Sequence, residues 1–353
     1  MKMFRILVVA LLSANLCAHA QEKCPVNFDK ISVADFNINA AVDTSFGAVI
    51  LADVGKSSFE ANKKGFFSLI YKLQRRIKII SPKGFDLATF KIPLYKSVKT
   101  DSEEVLESLS ATTYNLVNGK IEEVKLDKAS GFKEVMDKNH VVRKYTMPAV
   151  KEGSIIDITY TINSDFLFNL QPWSFQGTYP RLWSEYNLNL PEFFHYVFLS
   201  RGTHPFHAKT VKEKFHSYNV RIPAEGVMER DDIISLNSTN SISRWVMKDV
   251  PALKEESFTS TMSNHLSGIE FQMSGQQFPN NPFRDIMGSW GKVSMELLKD
   301  KEFGEDLENK PEWVKTALKT LALEEKPTID NAKKIYAYIQ QNFTSQGSKS
   351  IYN

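Results

Sequence analysis

Ser154-Ile155-Ile156-Asp157-Ile158-Thr159-Tyr160-Thr161-Ile162 decides the fold class of this chain. Six of these nine side chains are β-branched, a class whose stiff χ1 suits a pleated strand better than a helix. Glu152-Gly153 immediately before it is a turn signal, so the stretch reads as a strand entered from a tight bend. Working outward, the same grammar recurs. Ala48–Leu51 is a short apolar run, and Phe66–Tyr71 and Arg76–Ile80 read as two strands, the second stopped by Ser81-Pro82-Lys83-Gly84. Phe85–Ile92 alternates and predicts a strand with one wet face. Tyr114–Val117 and Lys120–Val124 flank Asn118-Gly119, two residues that tolerate φ > 0 and so signal a type I′ hairpin. Tyr186–Leu190, Tyr196–Leu199, Ser217–Ile222 and Ser243–Met247 continue the series, while the tract Asn237–Ser243 reads as a loop. Strands at this spacing predict a mainly β, layered sandwich-type domain.

After Pro282 the period changes. Asp285–Leu298, Glu312–Leu323 and Thr328–Phe343 carry apolar residues at helical spacing, with Asn309 and Thr328 as expected N-caps. The expected organisation is a signal peptide over 1–20, a β-rich domain over 21–281 and a helical segment over 282–353.

The N-terminus predicts export. Lys2 and Arg5 precede the short apolar run Ile6–Leu12, and Ala18-His19-Ala20 offers a cleavage site before Gln21. Leu16 is too bulky for a lipoprotein signal built on Cys17, and the apolar run is far short of the roughly 20 residues a membrane span needs. The expected destination is periplasmic or extracellular, with no transmembrane segment. The formal charge of +3 falls to +1 when Lys2 and Arg5 leave, 42 basic side chains standing against 41 acidic. With no basic run, nothing predicts nucleic-acid binding. Of the 2 cysteines, Cys17 leaves with the signal, so Cys24 is the one mature thiol and no internal disulfide is expected.

No stretch presents a self-sufficient catalytic site, and neither a cofactor nor a metal is expected. Cys24 lies beside Pro25 near the mature N-terminus, without a helix to stabilise a thiolate, and reads as a tail thiol. His204, His207 and His216 cluster in sequence, but a zinc site needs further ligands and a second shell, so they read as incidental to a β-turn. Asp231-Asp232 and Glu255-Glu256 are adjacent pairs, which point opposite ways on a strand and read as turns or strand ends. Trp173, Phe175, Trp183 and Tyr186 could stack a sugar or peptide, yet large aromatics in a sandwich are more often core. The sequon Asn237-Ser238-Thr239 matters only in a host that glycosylates exported proteins.

Several stretches together resemble the DUF3857 domain family, the N-terminal β domain of bacterial transglutaminase-like proteins. They are Ala48–Gly55, Arg76–Ile80 with Gly84, Val150–Ile156, Gln171–Gln176 and, most specific, Trp245–Glu256 with its Val250-Pro251-Ala252-Leu253 core. Ser289-Trp290, Phe303-Gly304 and Ala332–Ile339 resemble the linker into a transglutaminase-like core. The resemblance implies an exported protein whose β domain precedes a papain-type thiol core acting on protein or peptide. That core needs a Cys, a His and an Asp or Asn. Residues 331–353 hold no Cys, His or Asp, so no catalytic residue carries over, and the chain is expected to stop where the core begins. The resulting expectation is a non-catalytic accessory β domain that scaffolds, or positions substrate for, that core. A free-standing module binding a cell-envelope glycan or peptide is the alternative, and a small metal enzyme using the histidines is a third.

Overall fold

The computed structural model describes residues 22–37, 43–98, 100, 102–224, 230–254, 256–258, 261–301, 303–305, 311–323 and 325–344. The expected signal peptide lies outside them, as do Asn309 and Glu255. The protein is mainly β, with 47% strand against 18% helix, several sheets and a C-terminal helical segment. It divides into two compact units between Arg284 and Asp285.

Fifteen strands are formed among the described residues: β1 (Ala48–Ala61), β2 (Phe67–Ile79), β3 (Thr89–Tyr95), β4 (Val105–Val117), β5 (Lys120–Lys125), β6 (Phe132–Val135), β7 (His140–Thr146), β8 (Ile155–Ser164), β9 (Trp173–Ser174), β10 (Arg181–Leu190), β11 (Phe194–Arg201), β12 (Ala208–Ile222), β13 (Asp232–Val250), β14 (Gly268–Gln276) and β15 (Arg284–Asp285). Eight of them build one sheet in the order β12-β13-β10-β1-β2-β8-β4-β5. Its pairings are antiparallel except β1 with β10, which run parallel. A smaller sheet has the order β11-β14-β15 with β9 also on β14, and a third has the order β3-β7-β6.

The decisive stretch, β8, lies inside the large sheet between β2 and β4, where Ile156, Ile158, Tyr160 and Ile162 enter the core. On β2 the period-2 rule places Phe67, Leu69, Tyr71, Leu73, Ile77 and Ile79 in the same core. The small sheets cover that face. Phe59 of β1 stacks on Phe194 of β11 at 5.0 Å, and Tyr186 of β10 stacks on Phe271 of β14 at 5.5 Å. Ile92, Leu94 and Tyr145 bring the β3-β7-β6 sheet into the same cluster. These aromatic pairs add about 0.5–1.5 kcal/mol each to the area they bury.

The opposite face is covered too. Arg76 and Lys78 alternate with the core residues of β2 and so point away from it, yet both are buried. Residues 22–37 run over them as a strap: Phe28 lies 5.9 Å from the Arg76 guanidinium and Phe36 lies 4.8 Å from the Lys78 ammonium. Arg76 is held by Asp157 through two bonds of 2.7 Å, and it donates to the carbonyls of Asn27 and Lys30.

Three readings of the sequence are corrected. Phe85–Ile92 is strand only in its second half: Pro82 opens a 3-10 segment, Pro82–Ala88, with Ser81 at the N-cap position, and β3 begins only at Thr89. Phe66–Tyr71 and Arg76–Ile80 belong to one continuous strand, because Lys72 and Gln74 fall on the face away from the core and Arg75 is taken up by Asp53. The tract 237–243 is interior to β13, not a loop. Its buried polar side chains find partners: Ser238 accepts from the Glu192 N–H at 3.1 Å, and Asn240 donates to Asn189 at 2.8 Å and Tyr218 at 2.6 Å. The Asn118-Gly119 turn is as expected, with φ of 51° and 77° between β4 and β5.

The second unit holds α1 (Trp290–Leu298), α2 (Glu312–Thr320) and α3 (Ile329–Asn342). Ser289 caps α1 and Thr328 caps α3 through their side chains, whereas Pro311 stands at the N-cap of α2. Within these helices only Ala317 and Asn331 are buried, and Trp290, Trp313, Ile329, Tyr336 and Ile339 are all exposed.

Candidate functional site

One buried charge cluster in the β unit is Asp53, Arg75 and Arg181. Asp53 is fully buried; it accepts two bonds from Arg75 at 3.0 and 2.7 Å and one from Arg181 at 2.8 Å. Burial pulls the Arg181 pKa down to about 10 against the pull of Asp53, which still leaves it charged at neutral pH. Tyr71 and Tyr160 sit beside the cluster, and burial pushes the Tyr160 phenol up to about 12. The residues come from β1, β2 and β10, so the cluster ties the parallel pair to its antiparallel neighbour. Its carboxylate is saturated and shut away from solvent, which suits a structural tie and not acid–base chemistry.

The thiol is equally committed. Cys24 is not the free tail thiol expected from sequence: it packs half-buried with Val26 and Phe28 against Ala52, Trp183 and Val246. Burial raises its pKa above the ordinary thiol value, so the nucleophilic thiolate is disfavoured. His207 lies 5.9 Å from the Trp183 ring and contacts Glu22 at 2.7 Å, while Lys248 holds the other oxygen of Glu22 at 3.0 Å. His204 sits 3.2 Å from the carbonyl of Lys248, and His216 packs against Tyr218 at 4.4 Å. The three histidines therefore serve three different contacts. Asp231 pairs with Arg221 and accepts from the Ala224 N–H, while Asp232 opens β13. Trp173, Phe175, Trp183 and Tyr186 are all buried, and Trp173 passes so close to Gly55 that a Cβ there would lie 2.5 Å from its ring. Asn237 of the sequon is exposed on β13.

A cavity of about 390 Å³ lies where β4 faces the small β3-β7-β6 sheet. Its wall holds residues 103–109, Leu94, Lys128, Arg143 and Tyr145. Arg143 is unexpected there. Register pairs it with Ile92, between Val141 opposite Leu94 and Tyr145 opposite Phe90, so it sits on the core-facing side of its sheet. No hydrogen bond or ion pair engages Arg143 or Lys128 among the described residues. The acids of the same wall are occupied: Glu103 pairs with Lys133 at 3.1 Å and Glu107 accepts from Asn163 at 2.7 Å. Buried Glu104 accepts from Ser164, Asn169 and the Tyr95 N–H at 2.7, 2.9 and 2.8 Å. The wall holds three carboxylates and two cations, and the side chains there that lack a partner among the described residues are the cations Arg143 and Lys128. Nothing local marks Arg143, because only the register of β7 against β3 turns it inward.

No family model matches the chain, and no curated protein matches it. A solved structure from Parabacteroides distasonis, described as a "putative protease", is similar in fold, with a TM-score of 0.51 and 14% identity. The alignment covers 84% of this chain and 51% of that one, so the chain spans about half the length of that protein.

Proposed function

We propose that this chain is a non-catalytic accessory β domain of an exported, transglutaminase-like protein, which scaffolds a papain-type thiol core or positions a protein or peptide substrate for it. The observation that carries the reading is how the one described thiol is used. Cys24 is half-buried against the sheet with its pKa raised, and among the described residues His204, His207 and His216 are engaged with Lys248, Glu22 and Tyr218. Three things support it further. Parts of the DUF3857-like stretches fall on strands, among them Ala48–Gly55 in β1 and Trp245–Val250 at the end of β13. The fold likeness is to about half of a longer protein described as a "putative protease". The helices of the second unit leave large apolar side chains exposed, as helices awaiting further packing do. No helix among the described residues is long and apolar enough to cross a membrane.

The test is turnover by the purified mature chain on amide and transamidation substrates. No rate above background is expected. A rate that disappears in Cys24→Ser would overturn the reading.

A further inference from the structure

We propose that the Arg143 cavity is a recognition site for the free C-terminal carboxylate of a short extended peptide, which adds to the open edge of β4. The edge is open because β5 is too short to cover it. β5 pairs only with Thr112–Val117 of β4, and Leu126 extends the contact by one bond of 2.9 Å to the Ala111 carbonyl. Residues 105–110 are paired on the β8 side alone among the described residues, with a bulge at Glu107 between Leu106 and Ser108. Strand alternation then directs the N–H and C=O of Leu109 to the same open side as the Ala111 carbonyl. An unpaired strand edge is a template for an added strand, and here it borders a cavity instead of bulk solvent.

Both ends of that edge are closed. The Lys96–Glu103 bridge and the Glu104 N–H bond to the Tyr95 carbonyl seal one end; the Leu126 bond and the 3-10 turn Lys128–Ser130 seal the other. A strand continuing in both directions does not fit between them, whereas a chain terminus does. The donors left without a partner select which terminus. Glu103, Glu104 and Glu107 already have donors, while the Arg143 guanidinium and the Lys128 ammonium have no partner. A planar guanidinium matches a carboxylate in a two-bond fork. Leu94, Leu109 and Tyr145 supply apolar wall for the side chains of the last residues. The volume falls in the range of small-ligand sites, about 300–1,000 Å³.

The site deepens the accessory-domain reading by naming what the domain would hold, but peptide binding does not require a thiol core. The experiment therefore uses binding alone, so its outcome is separate from any result on catalysis. The probe is an extended peptide, fluorescein-Val-Thr-Val-Thr-Ala with a free carboxylate, titrated with the mature chain and read by fluorescence anisotropy. Its C-terminal amide is run beside it. The free acid should bind with a Kd of roughly 10 µM to 1 mM, and the amide at least about tenfold more weakly. Arg143→Gln should cost at least about tenfold, with Arg143→Lys between it and the parent. Lys128→Gln, an exposed change that leaves the core intact, should cost a few-fold, and hydrogen exchange at residues 105–110 should slow with peptide bound. Equal binding of acid and amide would overturn the proposal. So would unchanged binding in both Arg143→Gln and Lys128→Gln, or no binding of the free acid at 5 mM.

Discussion

Replacing Asp53 with alanine removes the acceptor shared by two arginines in a place water cannot reach. Asp53 has no exposed surface, and its three bonds are 2.7–3.0 Å long. After truncation Arg75, whose side chain is 27% exposed, can turn part of its charge to solvent. Arg181, at 10%, has no such exit; it keeps a 2.6 Å bond to the Ser174 carbonyl, but its Nε already lacks a partner. The variant thus carries an uncompensated buried cation. Breaking a buried pair in this way costs about 3–5 kcal/mol. That is a large part of the roughly 5–15 kcal/mol by which domains are stable. Urea unfolding followed by tryptophan fluorescence is a suitable assay, because Trp173, Trp183 and Trp245 are buried in the β unit. At a urea slope of about 3 kcal/mol per molar, the midpoint should fall by about 1–1.7 M. Asp53→Leu combined with Arg181→Met should recover most of the loss, since a well-packed apolar pair replaces an ion pair at little cost. A single-variant loss below about 1 kcal/mol would refute the reasoning, by showing that water or rearrangement relieves Arg181.

Three further outcomes are expected. Gly119→Val places a β-branched side chain at φ 77° in open space, so backbone strain alone should cost about 1–3 kcal/mol, read as a lower denaturation midpoint; an unchanged midpoint would contradict the turn. Burial lowers the Lys78 pKa to about 8 from 10.5, so the unfolded chain binds more protons between those values and stability should rise with pH across that window. The gain of the parent over Lys78→Met should grow there by at most about 3 kcal/mol, and a flat difference would show that the strap does not desolvate Lys78. Amide exchange should be fast in α3, whose Tyr336 and Ile339 are exposed, and slow in β8, whose alternate side chains are core; equal protection would mean α3 already has its partner.

How much of this was legible beforehand depended on the range of the interaction. β8 was readable because its β-branched residues carry their own preference, and the β4–β5 hairpin because Asn118-Gly119 fixes a turn locally. The Thr328 cap of α3 was local too, as Thr328 accepts from the Asn331 N–H three residues on. The polar tract in β13 was misread because composition could not show that Glu192, Asn189 and Tyr218 would arrive to satisfy it. Arg76 and Lys78 look like solvent positions until residues 22–37 are laid over them. Arg143 is the same lesson at the candidate site, since its inward face is set by pairing with Ile92 and not by its neighbours in sequence.

If the proposed role is right, this β domain serves a papain-type thiol core. Sequencing the gene downstream of the Asn353 codon tests it most directly. The frame should continue into a segment carrying a Cys, a His and an Asp or Asn, the residues a papain-type site requires. A stop codon directly after Asn353 would contradict it and leave a free-standing module that binds peptide or glycan in its place.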